Sequence, residues 1–150
     1  MKRVLIVEEA EQARAAAELQ VARVQPVLEG RRILLVEDDI RNVLSISSAL
    51  EKYSAQVEIA RSGIDALKKL DSYPQLDLVL LDVMTPEIDT TLHEIRMQPR
   101  FETLPIIAIS QSMSDDEKSR LPQKFDGYLT KPIDVERLTS FIRDGRIDNR

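Results

Sequence analysis

Cysteine is absent from this chain, and with it go disulfide staples, thiolate nucleophiles and zinc–thiolate sites. A single histidine, His93, leaves no second imidazole for a two-histidine metal site and no companion for a catalytic dyad. No apolar run approaches the roughly 20 residues that span a bilayer. The stretch Val4–Val7 is cut off by Glu8 and Glu9, too soon for the core of a secretory signal. A cytoplasmic chain with no membrane partner is therefore expected. Positive charge is also in deficit: 26 acids against 21 bases give a net charge of −5. That argues against direct nucleic-acid binding through a broad basic surface. What the chain does have is 43% hydrophobic and 31% charged residues over a length of 150, enough for one ordinary domain and a short appendage. Its chemistry must come from carboxylates, hydroxyls and lysines.

The texture of the sequence changes at Gly30. Ala10, Ala13, Ala17, Val21 and Val24 recur every three or four residues and predict an amphipathic helix, ended by Pro26. Residues 1–30 thus read as an extension of a short strand, an Ala-rich helix and a linker at Pro26–Gly30. The segment Lys2–Glu9 echoes Arg31–Asp38 in apolar run and paired acids, but one echo is not a repeat array. From Arg31 to Arg143 all-apolar runs alternate with helical spacing. Strands are predicted at Ile33–Val36, Gln56–Ala60, Leu78–Leu81, Ile106–Ile109 and Gly127–Thr130. Helices are predicted around Val43–Leu50, from a Ser62 cap through Leu70, at Thr91–Met97, at Asp115–Lys124 and at Asp134–Arg143. Strands apolar throughout are buried on both faces, and strict strand–helix alternation makes a doubly wound α/β sandwich with a parallel sheet. Residues 144–150 are a tail.

In such a sheet, ligands bind beyond the carboxyl ends of the strands, so the residues that end each strand matter most. The first apolar run ends in Glu37, Asp38 and Asp39, the third in Asp82 and the fourth in Ser110, while Lys131-Pro132 follows the fifth. Carboxylates from two strands crowded together need a cation. Oxygen donors favour Mg²⁺ or Mn²⁺ over zinc or copper. A site of this kind suits phosphoryl transfer, with a central aspartate as nucleophile, a lysine on the phosphoryl oxygens and a hydroxyl as hydrogen-bond donor. Asp39 is assigned to capping the next helix rather than to the metal set.

The stretches RILLVEDD (31–38), LVLLDVMTPEID (78–89), PIIAIS (105–110) and YLTKP (128–132) resemble the receiver domain of two-component response regulators, above all the receivers of hybrid sensor histidine kinases. The resemblance spans about residues 31–143. It implies a flavodoxin-like five-stranded parallel sheet of order 2-1-3-4-5. It implies Asp82 as the phosphoacceptor, served by a sensor histidine kinase or a phosphotransfer protein. Mg²⁺, or Mn²⁺, would be held by Glu37, Asp38, Asp82 and the backbone carbonyl of Met84. Lys131 would contact the phosphoryl group, with a cis bond to Pro132. Ser110 and Tyr128 would be the switch pair that reshapes the face around the fourth helix, fifth strand and fifth helix of the fold. Such a module phosphorylates and dephosphorylates itself but turns over no substrate.

The sequence also departs from the family pattern. The residues Thr85–Thr90 lack the usual glycine, so the loop before the third helix is expected to be rebuilt; Gln111 stands where a small residue is usual; and Pro122–Phe125 replaces an Ala-Gly segment. Two other functions compete. A dehalogenase-type phosphatase needs a second aspartate two residues after Asp82, where this chain has Met84. A pseudo-receiver, an interaction module with impaired phosphorylation, is the alternative that Gln111 and the missing glycine keep open. His93 is read as a surface or satisfied residue, and the Ala10–Val24 stripe as a candidate homodimer contact.

Overall fold

The computed structural model describes residues 26–73, 75–111, 114–115 and 125–144. The strand and Ala-rich helix expected before Pro26, and the polar helix expected at Asp115–Lys124 beyond its first residue, lie outside the described residues. So does the tail beyond Asp144.

Five parallel strands form one sheet: β1 (Arg32–Val36), β2 (Gln56–Ala60), β3 (Leu78–Asp82), β4 (Ile106–Ser110) and β5 (Gly127–Thr130). Their order is β2-β1-β3-β4-β5, as the family resemblance implies. Between them run the helices α1 (Ile40–Lys52), α2 (Gly63–Ser72) and α3 (Ile88–Met97), and α4 (Val135–Asp144) closes the chain. Side-chain alternation along the strands sorts the core into two layers. Ile33, Leu35, Leu80 and Ile109 pack with Ile46 and Leu50 of α1 and Leu138 and Phe141 of α4. Leu34, Val36, Val79 and Leu81 pack on the other face with Ala66 and Leu70 of α2 and Leu92 and Ile95 of α3. Strands β3 and β4 are buried at every position, which is why their sequences carry no polar alternation.

The helix starts follow local chemistry. The Asp39 carboxylate accepts the Arg41 N–H at 2.9 Å and opens α1. Ser62 Oγ accepts the Asp65 N–H at 3.0 Å and opens α2, as expected, and Asp65 in turn accepts the Arg61 N–H. Helix α3 begins at Ile88, three residues before the expected start at Thr91. Ile88, Leu92 and Ile95 share one face at helical spacing, and their burial against the sheet carries the helix back to the end of the loop. The loop ends on Glu87, in the left-handed conformation with φ 57°, with no side-chain cap. A short turn at Pro26–Leu28 sets Leu28 fully into the core and ties it to the Tyr53 carbonyl, so the stretch read as a linker packs on the domain. Arg96, near the end of α3, donates to the Leu104 carbonyl and to Asp126, which also accepts the Ile106 N–H at 2.8 Å. One guanidinium thus fixes the entries to β4 and β5.

Helices α2 and α3 meet where Gly63 faces Thr91. A Cβ on Gly63 would lie 2.1 Å from Thr91 Oγ1 and 3.3 Å from Thr91 Cβ. Thr91 is buried and β-branched, so it cannot swing aside. Gly63→Ala is therefore expected to lower the unfolding free energy by about 1–3 kcal/mol. Adding Thr91→Ala should restore part of that loss. Chemical denaturation of the two variants checks this, and a Gly63→Ala midpoint equal to wild type would contradict it.

Candidate functional site

The strand order reverses at β1, which leaves a crevice beyond the carboxyl ends of β1 and β3. Glu37 follows β1 and Asp82 ends β3 there, while Lys131 arrives from the end of β5 across β4. The Lys131 N–H anchors to the Ser110 carbonyl at 2.7 Å, and the peptide bond to Pro132 is cis. The Lys131 ammonium donates to Glu37 Oε1 and, at 3.1 Å, to Asp82 Oδ2. Backbone amides take the remaining oxygens. Glu37 Oε2 accepts the Asp38 N–H at 3.0 Å, and Asp82 Oδ1 accepts the Met84 N–H at 2.9 Å. All three side chains are buried, Glu37 to 2% exposure, Lys131 to 8% and Asp82 to 10%.

Two acids and one base leave an excess of negative charge, and the electrostatics divide it. Burial, and Asp82 alongside, raise the Glu37 carboxyl above its ordinary value although Lys131 opposes them. Burial pushes Asp82 upward too, but hydrogen bonding with Glu37, the Met84 amide and Lys131 outweighs it and holds Asp82 below its ordinary value. Burial alone would lower Lys131; its two carboxylate partners raise it instead. Asp82 is thus the acid kept ionised and Glu37 the one most ready to hold a proton.

Asp82 and Lys131 line a cleft of about 630 Å³ together with Ser110 and Arg41, and Met84 and Gln111 stand at its rim. Ser110 is buried and half-buried Tyr128 lies on β5 in register with Ala108. Gln111 is exposed and reaches the cleft, as expected of the residue after Ser110. Asp39 caps α1, and the Arg41 hydrogen bonds hold its carboxyl below the usual range. Asp38 stands apart from the buried trio: its side chain is 83% exposed and turned to Arg61. Among the described residues no three acidic or imidazole side chains stand close enough to form a metal cluster. The donor set nevertheless fits a hard divalent cation. Two buried carboxylates share a single ammonium, the exposed Asp38 carboxylate follows directly in sequence, and every donor is oxygen.

One residue at this edge lies outside the set expected from the sequence: Arg61. It follows β2, and its guanidinium donates to the Asp38 carbonyl at 2.6 Å. The signal was available, since β2 ends on the same sheet edge as the others.

The family model "Response regulator receiver domain" matches residues 33–143. The aerobic respiration control sensor protein ArcB of Escherichia coli is 33% identical over 119 residues, 77% of this chain and 15% of that protein. The sensor histidine kinase GacS of Pseudomonas protegens is 31% identical over 117 residues, 74% of this chain and 13% of that protein. The chain therefore spans a small fraction of these relatives. Among solved structures, a response regulator from Chloroflexus aurantiacus superposes with a TM-score of 0.68 at 25% identity, covering 75% of this chain and 98% of that one. The receiver domain of the sensor histidine kinase PA1611 from Pseudomonas aeruginosa, described with a magnesium ion in its active-site cleft, gives 0.67 at 27% identity over 77% and 96% of the two chains.

Removing Lys131 leaves two buried carboxylates without a cation. Lys131→Met is expected to cost about 3–5 kcal/mol at neutral pH. The cost should shrink as pH falls through the raised Glu37 value, because the native state then takes up a proton that relieves the repulsion. In the wild type, the Lys131 contribution is complete below the ordinary lysine value and is lost as pH rises through its raised native value. Asp82 contributes above the ordinary aspartate value and is lost only as pH falls through its lowered one. Urea titrations between pH 4 and 11 test the pattern. A Lys131→Met penalty as large at pH 4 as at pH 7 would contradict it.

Proposed function

Because the chain belongs to the response regulator receiver domain family of two-component systems, we propose that Asp82 is its phosphoacceptor, in a phosphorelay fed by a sensor histidine kinase or a phosphotransfer protein. The observation that carries this reading is Asp82 at the end of β3, lining an open cleft, with the Lys131 ammonium hydrogen-bonded to its carboxylate at 3.1 Å. One carboxylate oxygen of Asp82 attacks the phosphorus of a partner phosphohistidine. The new bond is the acyl phosphate P–O; the P–N bond breaks, and its electron pair returns to the imidazole nitrogen. Glu37, Asp38, Asp82 and the Met84 carbonyl are the residues that would hold Mg²⁺, or Mn²⁺ in its place, and the ion when bound neutralises charge on the phosphoryl oxygens.

This chain's own residues do the rest. Lys131 supplies a compact positive charge to the phosphoryl oxygens, and Ser110 a hydroxyl donor at the cleft wall. Once phosphorylated, Asp82 no longer offers Lys131 the same carboxylate. The Ser110 and Tyr128 pair then biases a two-state equilibrium of the face that includes β5 and α4. Met84, 81% exposed at the rim, leaves the position two residues after Asp82 without a proton donor, which favours a stored acyl phosphate over phosphatase turnover. A cytoplasmic setting suits such a relay, and among the described residues no helix is long and apolar enough to cross a membrane.

Incubation with acetyl phosphate and Mg²⁺ followed by intact-mass measurement tests the reading. The wild type is expected to gain one phosphoryl group and Asp82→Asn none. Lys131→Met should react about 10²–10³-fold more slowly. An adduct that survives in Asp82→Asn, or none in the wild type, would overturn it; the second result would favour an interaction module with impaired phosphorylation.

A further inference from the structure

Arg61 follows β2, immediately before the Ser62 cap of α2, and nothing in the transfer chemistry above uses it. Its guanidinium donates to the Asp38 backbone carbonyl at 2.6 Å, and Nη2 lies 3.9 Å from Asp38 Oδ1. The arginine is itself held from behind, because its backbone N–H donates to the Asp65 carboxylate in the first turn of α2. Helix α2, opened by Ser62, thus aims a permanent positive charge at the acid that stands apart from Glu37 and Asp82. Asp38 and Arg61 both border a second cavity, of about 350 Å³, between the starts of α2 and α3.

We propose that Arg61 lowers the metal affinity of the site: it grips the Asp38 backbone carbonyl and keeps a guanidinium 3.9 Å from the exposed Asp38 carboxylate, so a divalent cation drawing on that carboxylate meets a fixed positive charge. The proposal rests on the reading of Glu37, Asp38 and Asp82 as the metal-holding acids. A fixed positive charge acts on a divalent ion in two ways: it offsets part of the carboxylate's charge, and it repels the ion through partly solvated space. Both ends of the pair are exposed, the arginine side chain to 55% and the aspartate to 83%, so the effect is a tuning one and is screened by salt. Arg61 acts through Asp38 and is a positioning residue. A receiver restrained in this way would need a severalfold higher free Mg²⁺ concentration for the same occupancy of the site.

Electron paramagnetic resonance of Mn²⁺ reads binding without any phosphoryl chemistry. Arg61→Met keeps the apolar stem and removes the charge; it is expected to bind Mn²⁺ about three- to tenfold more tightly than wild type at low ionic strength. The gain should fall toward onefold at high salt. Arg61→Lys keeps the charge and should stay within about twofold of wild type at low salt. Thermal unfolding run in parallel separates a structural role, which would lower the melting temperature and leave affinity unchanged or weaker. Unchanged or weaker binding by Arg61→Met, beside a wild type whose binding is lost in Asp82→Asn, would overturn the Arg61 proposal and leave the receiver reading standing. Absence of Mn²⁺ binding in wild type and variant alike would overturn both.

Discussion

The ammonium of Lys131 is the constraint on which the rest of the structure turns. Two carboxylates, Glu37 and Asp82, leave adjacent strands at the buried edge of the sheet, and neither could stay there charged without it. Strand order brings this about. With β1 beside β3, and β5 beyond β4, Lys131 reaches back across β4 from the end of β5 to bridge the pair. The Ser110 carbonyl holding the Lys131 N–H and the pinned turn at Pro132 aim that side chain. The fully buried strands β3 and β4 supply the floor.

The same shortage of positive charge gives the site its reactivity. One ammonium shared by two acids is distributed unequally: backbone amide and ammonium favour ionised Asp82, while Glu37 is left with a raised affinity for a proton. For the proposed phosphotransfer, a carboxylate held below its ordinary value needs no separate base to attack phosphorus. The site is also unfinished in charge, because the neighbouring Asp38 points outward to Arg61. An incoming group that brings positive charge, or takes negative charge off Asp82, therefore finds a receptive cleft.

Much of this was legible in the sequence because it rests on strand ends. All-apolar runs such as Leu78–Leu81 fixed both the strand and the place of Asp82 after it, since burial on two faces removes polar alternation. Ser62 and Asp39 announced helix starts through local hydrogen bonding, which short-range sequence carries. The start of α3 was not legible. Ile88 reads as loop beside Pro86, and only its packing against the sheet extends the helix backward over a left-handed Glu87. The Gly63–Thr91 contact and the Arg96 clamp are long-range and leave no periodic trace. Arg61 carries no such mark: β2 is only partly buried, so no all-apolar run leads to the residue after it.

The central claim is that Asp82, and no other acid of the cleft, receives the phosphoryl group. The direct measurement is to phosphorylate the chain from a phosphohistidine donor, reduce the acyl phosphate with borohydride, and locate the modified residue by peptide mass spectrometry. The account predicts homoserine at position 82 alone. Reduction products at Glu37, Asp38 or Asp39, with position 82 unmodified, would contradict it.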